Sequence, residues 1–207
     1  MSLRSARIVI AGTGTEVGKT WTAVKLIEHA RAQGLTVAAR KPAQSYARDD
    51  SVTDADLLAA ATGESPHQVC PAHRWYPVPM APPMAADVLA RPQIRLDELI
   101  AETPWPNADL TLIETAGGLC SPIAHDADNL ELIERLAPTR TLLVADAGLG
   151  TLNLVRLCLR ALGEKPTLVF LNRFDPDNDL HRRNWQWLNT EGVQLARDVP
   201  EALAQLT

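Results

Sequence analysis

The residues best suited to chemistry lie in a glycine-rich loop at positions 12–20, which has the sequence GTGTEVGKT. Backbone N–H groups in such a loop can converge on phosphate oxygens, and the positive end of a following helix dipole adds to the attraction. Lys19 is placed to meet the β- and γ-phosphates of a nucleotide, and Thr20 can ligate Mg²⁺ through its hydroxyl. The loop therefore predicts a site for a nucleoside triphosphate and its magnesium ion.

The spacing inside this loop narrows the class of protein. The usual phosphate loop has four residues between its first glycine and Gly-Lys-Thr, which would require glycine at position 13. Position 13 is threonine here, and counting from Gly12 leaves five intervening residues. The early lysine of partition-type ATPases is missing as well, because position 14 is glycine. The spacing thus indicates neither a common GTPase nor a partition-type ATPase.

Three further charged residues could complete the site, although each also has a simpler explanation. Lys41 follows a predicted strand and would lie over the γ-phosphate or its acceptor, or it could be a surface lysine that caps the strand. Glu114 follows another predicted strand and could hold Mg²⁺, or it could face solvent at the strand end. Asp54 begins a predicted helix, where helix capping alone would account for it. After Glu114 comes Gly117, which would expose backbone N–H groups.

The elements that must position these residues alternate between apolar runs and helical patterns. The apolar runs are continuous, which is typical of strands buried on both faces of a parallel sheet. The sequence predicts strands at 8–11, 35–39, 110–113, 141–145, 167–171 and 193–196, and helices at 20–32, 54–62, 128–136, 152–162 and 181–188. This order predicts a single α/β domain over residues 1–207, with a doubly wound, mostly parallel sheet and helices on both faces.

One segment interrupts this alternation. In sheets of this kind, ligands bind beyond the carboxyl ends of the strands, and the candidate motifs fall there. The segment 71–92 is dense in proline, which suits neither a long helix nor a central strand. It is either a surface excursion or a loop that lines a substrate cleft.

The composition excludes several classes of partner. Of the 207 residues, 46% are hydrophobic and 22% are charged, as in an ordinary soluble globular protein. A net charge of −5 argues against a nucleic-acid surface. The cysteines, Cys70, Cys120 and Cys158, are far apart and suit reduced thiols, and no apolar run matches a signal peptide or a membrane span. We therefore expect a cytoplasmic protein that binds neither nucleic acid nor a membrane.

Five blocks, in order and with suitable spacing, make the chain resemble the dethiobiotin synthetase family. They are the phosphate loop at 12–20, KPAQS at 41–45, YPVPMAP at 76–82, ETAGG at 114–118 and DAGLGTLN at 146–153. The likeness covers nearly the whole chain. It implies a P-loop fold, a homodimer that uses ATP and Mg²⁺, and closure of the ureido ring of biotin from 7,8-diaminopelargonate and CO₂.

The resemblance also implies a role for each matching residue. ATP would contact Glu16, Val17, Gly18, Lys19, Thr20, Trp21, Asp54, Glu114, Gly117, Asn172, Arg173, Val199 and Pro200. Among these, Asn172 would read the purine edge, and Val199 and Pro200 would border the base. Mg²⁺ would be held by Thr20, Asp54 and Glu114. The diamine and its carbamate would contact Thr15, Lys41 and Ser45, and from the partner subunit Gly150, Thr151, Leu152 and Asn153.

The mechanism that the resemblance implies is phosphoryl transfer followed by ring closure. A carbamate oxygen attacks the γ-phosphate and gives a carbamic–phosphoric anhydride, and the second amine then attacks the activated carbon and expels phosphate. Lys41 and Lys19 would be catalytic, with Thr15 close to the reacting groups. Such chemistry needs positioning and charge neutralisation more than a covalent nucleophile.

Three positions depart from the family pattern. Thr115 stands where glycine is usual, and its side chain would crowd the triphosphate or the metal if the backbone needs a positive φ. Tyr46 stands where glycine usually follows Ser45, and it could reshape the diamine pocket. Leu154 stands where histidine is often found. Two alternatives therefore stay open: a related ATP-dependent ligase with another substrate, or an inactive paralogue, and a nucleotide-switched ATPase whose output is a partner contact.

Overall fold

The core of the protein is a six-stranded sheet in which every pair of neighbouring strands is parallel. The computed structural model describes residues 5–207, so the first four residues of the domain predicted over 1–207 lie outside it. The strands are β1 (Ala6–Gly12), β2 (Val37–Arg40), β3 (Gln44–Ser45), β4 (Trp75–Tyr76), β5 (Leu110–Glu114), β6 (Pro122–Ala124), β7 (Ala127–Asp128), β8 (Arg140–Asp146), β9 (Thr167–Asn172) and β10 (Leu195–Ala196). The main sheet has the spatial order β10-β9-β8-β1-β5-β2.

Helices cover both faces of this sheet. They are α1 (Lys19–Ala32), α2 (Asp54–Thr62), α3 (Pro66–Val69), α4 (Pro82–Val88), α5 (Leu96–Glu102), α6 (Asn129–Leu136), α7 (Thr151–Leu162), α8 (Asp179–Thr190) and α9 (Val199–Leu206). Ile8 and Ile10 of β1 join a core cluster with α1, α2 and α9, whereas Val9 and Ala11 join a second cluster with α4 to α8. Because side chains alternate along a strand, one continuous apolar run fills both layers. The doubly wound α/β prediction is confirmed.

The register of the parallel strands brings the chemical residues to one edge of the sheet. Arg40 of β2 is aligned with Ile113 of β5, so the residues that follow, Lys41 and Glu114, lie side by side. On the other side of β1, Asp146 of β8 is aligned with Asn172 of β9. The carboxyl ends of these strands therefore form a single edge, from which the phosphate loop and the other candidate motifs project.

The second strand and the C-terminal end differ from the sequence prediction. The second strand begins at Val37, two residues later than predicted, because the N–H of Leu35 still donates to Ala30 O at the end of α1. The final helix was not predicted at all. It begins at Val199 with Pro200 in its first turn, and the Asp198 carboxylate caps it by accepting the Glu201 N–H.

The proline-dense segment contains a short helix that the sequence analysis did not predict. Pro82 and Pro83 occupy the first positions of α4, where a missing N–H costs the helix nothing. Ala85 and Ala86 on the same helix are fully buried in the core. The segment is thus packed against the sheet layer, although it holds neither a long helix nor a central strand.

None of the helices between residues 5 and 207 combines the length and the apolar composition that a membrane crossing requires.

Replacement of Leu26 tests how firmly α1 anchors the phosphate loop to the sheet. Leu26 is completely buried, and Leu26→Ala should lower the free energy of unfolding by about 2–5 kcal/mol, through lost burial and the cavity left behind. Urea denaturation measures the change. Leu57→Ala on the half-exposed side of α2 is the matched control, with an expected change within about 0.5 kcal/mol. Equal losses in the two variants would contradict this packing arrangement.

Candidate active site

A cavity of about 650 Å³ opens at the carboxyl edge of the sheet. Eleven of the predicted site residues line it: Thr15, Glu16, Gly18, Lys19, Thr20, Trp21, Lys41, Ser45, Asp54, Glu114 and Gly117. The segment from Pro79 to Pro82 also lines this cavity. Of the two roles considered for the proline-dense segment, the structure therefore supports the lining of a cleft.

The phosphate loop is compact because of its glycines. A side chain at Gly12 would come within 2.8 Å of Gly14 O and 2.9 Å of Val17 Cγ2. Gly18 has a φ of 96°, a left-handed conformation that favours glycine. Lys19 folds back so that its Nζ donates to Gly14 O at 3.3 Å. Burial lowers the pKa of Lys19, although the nearby Glu114 carboxylate acts in the opposite direction.

Three oxygen-bearing side chains meet at the floor of the cavity. Thr20 Oγ1 lies 2.8 Å from Asp54 Oδ1 and 2.9 Å from Glu114 Oε1. The three residues come from the start of α1, the start of α2 and the end of β5, so only the folded chain brings them together. This confirms that the residues predicted to form one metal site do converge.

Lys41 is the counter-charge of this group. Its Nζ lies 2.7 Å from Glu114 Oε1 and 2.8 Å from Asp54 Oδ2, and only 2% of its side chain is exposed. Burial disfavours the charge, but the two carboxylates outweigh it and raise the pKa of Lys41 above its ordinary value. The same contact lowers the pKa of Asp54, chiefly through the charge on Lys41. In contrast, the pKa of Glu114 is raised, because burial outweighs its attraction to Lys41.

The simpler explanations for these three residues do not hold. Lys41 and Glu114 are buried rather than surface-exposed, with Glu114 only 1% accessible. The cap of α2 is Thr53, whose side chain accepts from the backbone of Asp56, so Asp54 is not needed for capping. Its carboxylate is directed at Thr20 and Lys41 instead.

The donor set of this group fits a magnesium ion. Mg²⁺ prefers hard oxygen ligands and usually takes one or two carboxylates from the protein, with the remainder from water and substrate phosphates. Thr20, Asp54 and Glu114 supply one hydroxyl and two carboxylates. In addition, Glu114 Oε2 is buried and has no hydrogen-bond partner among residues 5–207, so an acceptor is left over for a cation.

Asn172 and Arg173 lie behind the phosphate loop rather than on the cavity wall. Asn172 Nδ2 donates to Val17 O at 2.9 Å, and Arg173 Nη2 donates to Glu16 O at 3.1 Å. Arg173 also forms an ion pair with Asp146 at 2.7 Å. Both side chains therefore hold backbone carbonyls of the loop.

Two predicted groups lie away from this cavity. Gly150, Thr151, Leu152 and Asn153 begin α7 at the end of β8, where Gly150 has a φ of 91°. Val199 and Pro200 begin α9, and Val199 packs against the core cluster that contains α1. Neither group lines the cavity formed by the described residues of this single chain.

Sequence reasoning missed two residues that shape the site. Gln44 lines the cavity and bonds to residues on both sides of Asp54. Ser121 accepts the N–H of Gly118 at 2.9 Å and thereby closes the turn after Glu114. Gln44 lies within the block 41–45, but nothing in the sequence indicated its bonds to Thr53 and Ala55.

The departures from the family pattern have distinct structural outcomes. Thr115 does not have a positive φ, and its buried hydroxyl donates to Ile10 O at 3.2 Å. The condition under which Thr115 was expected to crowd the triphosphate or the metal, a positive φ, is therefore not met. Tyr46 is half-buried and lines the cavity, with its ring edge-on to Trp75 at 6.2 Å. It lies next to Ser45 on the wall of the cavity.

Known proteins resemble this chain over most of its length. The protein-family model described as an AAA domain matches residues 6–200. The ATP-dependent dethiobiotin synthetase of Caulobacter vibrioides is 39% identical over 161 residues, which cover 75% of this chain and 73% of that protein. The one from Anaeromyxobacter sp. is 37% identical over 173 residues, which cover 80% of this chain and 76% of that protein.

Solved structures show similarity in fold. The 54 kDa protein of the signal recognition particle from Aeropyrum pernix, in complex with GDP, has a TM-score of 0.54 at 17% identity, covering 96% of this chain and 43% of that chain. The receptor FtsY from Elizabethkingia anophelis also gives 0.54 at 17% identity, covering 96% of this chain and 61% of that chain. At such identities the likeness concerns the fold alone.

Restoring glycine at position 115 tests the finding that Thr115 is unstrained. Thr115→Gly should lower the free energy of unfolding by about 1–3 kcal/mol, because it removes a buried hydrogen bond and adds backbone freedom to the unfolded chain. Urea denaturation and calorimetric titration with ATP measure the two effects, and we expect ATP affinity to stay unchanged. Thr111→Gly, inside β5, the strand that Thr115 follows, is the control for stability. Tighter ATP binding by Thr115→Gly would show that Thr115 does crowd the triphosphate.

Proposed function

Because the chain belongs to the ATP-dependent dethiobiotin synthetase family, we propose that it catalyses ATP-dependent formation of dethiobiotin in biotin biosynthesis. It is then a ligase that joins CO₂ to the two amines of 7,8-diaminopelargonate. The family relatives from two organisms match at 37% and 39% identity over most of both chains. Four of the five blocks that carry the resemblance, at 12–20, 41–45, 76–82 and 114–118, contribute residues to the cleft, which supports the assignment.

One observation carries the proposal: a buried lysine stands beside a complete set of magnesium ligands. Lys19 already serves the phosphates, so Lys41 is a second cation available to another anion. A reaction that only hydrolysed ATP would need no such group. A carbamate formed from CO₂ and an amine is an anion of the right kind, and it must lie next to the γ-phosphate to attack it.

In the proposed reaction, Lys41 binds the carbamate and Lys19 binds the γ-phosphate. The carbamate oxygen attacks phosphorus, the β–γ bond breaks, and ADP leaves as the carbamic–phosphoric anhydride forms. The second amine then attacks the carbamate carbon, loses its proton and expels inorganic phosphate to close the ring. Thr15 and Ser45 line the cavity next to these groups and orient the diamine.

The residues Thr20, Asp54 and Glu114 would hold the magnesium ion. When bound, the ion neutralises charge on the β- and γ-phosphate oxygens. The protein's own contribution is to hold Asp54 Oδ1 at 2.8 Å and Glu114 Oε1 at 2.9 Å from Thr20 Oγ1.

We propose that the residues behind the phosphate loop bind the nucleotide base. Asn172 reads the purine edge with its amide, and Arg173 lies beside it at the end of β9. Val199 and Pro200 border the base from the start of α9. Asn172 thus has two tasks, since its Nδ2 also holds Val17 O.

We also propose a homodimer in which Gly150–Asn153 closes the diamine site of the partner subunit. Support comes from apolar residues around the start of α7 that a monomer leaves in water. Leu149 is 92% exposed, and Leu154 and Leu157 are 42% and 53% exposed. Residues three apart on a helix share a face, so the two helical leucines form one apolar strip next to Leu149.

We also propose that the protein is cytoplasmic. Cys70, Cys120 and Cys158 are all free thiols in the described part of the chain. Burial raises the pKa of Cys70 to about 12, so its thiol is poorly reactive. Unpaired cysteines suit a reducing compartment.

The decisive experiment measures phosphate release from MgATP and bicarbonate, with and without 7,8-diaminopelargonate, while mass spectrometry follows the product. We expect release that depends on the diamine, together with a product mass equal to the cyclic urea. Release that ignores the diamine would instead favour a ligase with another substrate. If ATP binds without any release and drives dimerisation alone, the nucleotide-switch alternative is correct.

Lys41→Met tests the role of the second cation while keeping most of the buried side-chain volume. Ring closure should fall by roughly 100-fold or more, because the charge that faces the reacting carbamate is lost. ATP affinity should remain close to that of the unchanged protein, since Lys19 and the loop amides are intact. Lys25→Met, on the exposed side of α1, is the matched control. Unchanged turnover in Lys41→Met would remove the assigned role.

A further inference from the structure

We infer that Gln44 is a positioning residue that fixes Asp54 as a ligand for the magnesium ion. The inference rests on the metal site of the proposed function and adds a residue to it. Gln44 belongs to β3, and its side chain is almost completely buried, with 1% exposed. Buried side-chain amides are nearly always hydrogen-bonded. The partners of the Gln44 amide therefore show which residues it holds in place.

The two ends of the Gln44 amide bond to the residues on either side of Asp54. Oε1 accepts the backbone N–H of Ala55 at 3.0 Å, and Nε2 donates to Thr53 Oγ1 at 3.1 Å. A backbone N–H can only donate, so the orientation of the amide is fixed by chemistry. Gln44 therefore holds the hydroxyl of the residue immediately before the metal ligand and the backbone N–H of the residue immediately after it.

This contact completes the start of helix α2. The first N–H groups of a helix have no partner within the helix. Thr53 and Asp56 form a capping box that satisfies two of the groups, and Gln44 satisfies the N–H of Ala55 from outside the helix. Asp54 is the first helical residue, so its direction depends on this anchored turn.

Gln44 also links the metal ligand to the lysine of the site. Lys41 lies three residues earlier in the same buried segment, and its Nζ contacts Asp54 Oδ2 at 2.8 Å. The segment is itself held because Gln44 and Ser45 pair with β4. A shift of Gln44 would therefore change the position of Asp54 relative to both Thr20 and Lys41, without any contact between Gln44 and the metal.

Groups that orient a metal ligand typically contribute a factor of 10 to 100 in metal affinity. Gln44→Met keeps the length of the side chain and removes both hydrogen bonds. We expect Mn²⁺ in the complex with ADP to bind roughly tenfold more weakly, as measured by electron paramagnetic resonance of free Mn²⁺. The Mg²⁺ concentration that half-saturates phosphate release should rise by the same factor, and turnover at saturating Mg²⁺ should recover.

Gln68→Met is the matched control. Gln68 bonds to the start of α3 in a similar way, since its Oε1 accepts the Ser65 N–H at 2.8 Å, but α3 carries no site residue. Mn²⁺ affinity should be unchanged in this variant. If Gln44→Met binds Mn²⁺ as tightly as the unchanged protein, or if Gln68→Met weakens binding equally, Gln44 is merely structural and the inference is wrong.

Two further readouts keep this result separate from the proposed function. Phosphate release that does not depend on the diamine would contradict the dethiobiotin assignment. Weaker Mn²⁺ binding in Gln44→Met would still support the positioning role in that case. If Gln44→Met does not fold, hydrogen exchange on the unchanged protein decides instead. We expect the Ala55 amide to be strongly protected without any metal, and exchange at the rate of a free amide would overturn the inference.

Discussion

One buried ion cluster governs the architecture around the cleft: Lys41 placed between Asp54 and Glu114. Charges removed from water cost several kcal/mol each unless they are paired and hydrogen-bonded. Here a single ammonium group serves two carboxylates within 2.8 Å, and Thr20 adds a hydroxyl to both. The two carboxylates of the cluster differ in pKa, which is lowered for Asp54 and raised for Glu114. Asp54 is held ionised by Lys41, whereas deeper burial makes Glu114 the more reluctant anion. Glu114 Oε2 is left without a hydrogen-bond partner among residues 5–207, which supports the proposed magnesium site.

The sheet is what makes this cluster possible. Parallel strands in register place consecutive strand ends at one level, so the alignment of Arg40 with Ile113 brings Lys41 against Glu114 without any special loop. The loops then need only small adjustments. Asn129 illustrates one of them, because its Nδ2 donates to Ala116 O at 2.7 Å and Gly118 O at 2.8 Å and fixes the turn after β5. The strands place the residues of the site at one edge of the sheet, and buried amide side chains such as that of Asn129 fix the turns that follow the strands.

Much of this could be predicted from the sequence, because the signals were local. The apolar runs gave the strands of the main sheet, and the loop at 12–20 identified the phosphate site before its folding was known. What could not be predicted were contacts between residues far apart in the chain. Thr115 illustrates the limit, since the sequence could not tell whether the backbone at this position needs a positive φ, and the structure shows that it does not. The helix at Val199–Leu206 was not predicted either, because it is only eight residues long and has a proline in its first turn.

At the rim of the phosphate loop, the cost of backbone strain is not offset by strong ion pairs, in contrast to the floor of the cleft. Glu16 and Arg173 both have a φ of 59°, a left-handed conformation that costs a non-glycine residue roughly 1–2 kcal/mol. The ion pair of Arg173 with Asp146 is about half exposed, and such pairs contribute about 1 kcal/mol or less. Stability alone therefore does not explain the arrangement. Its effect is geometric, because Arg173 fixes Glu16 O and Asn172 fixes Val17 O. Two consecutive carbonyls of the phosphate loop are thus tied to the last residue of β9 and to the residue that follows it.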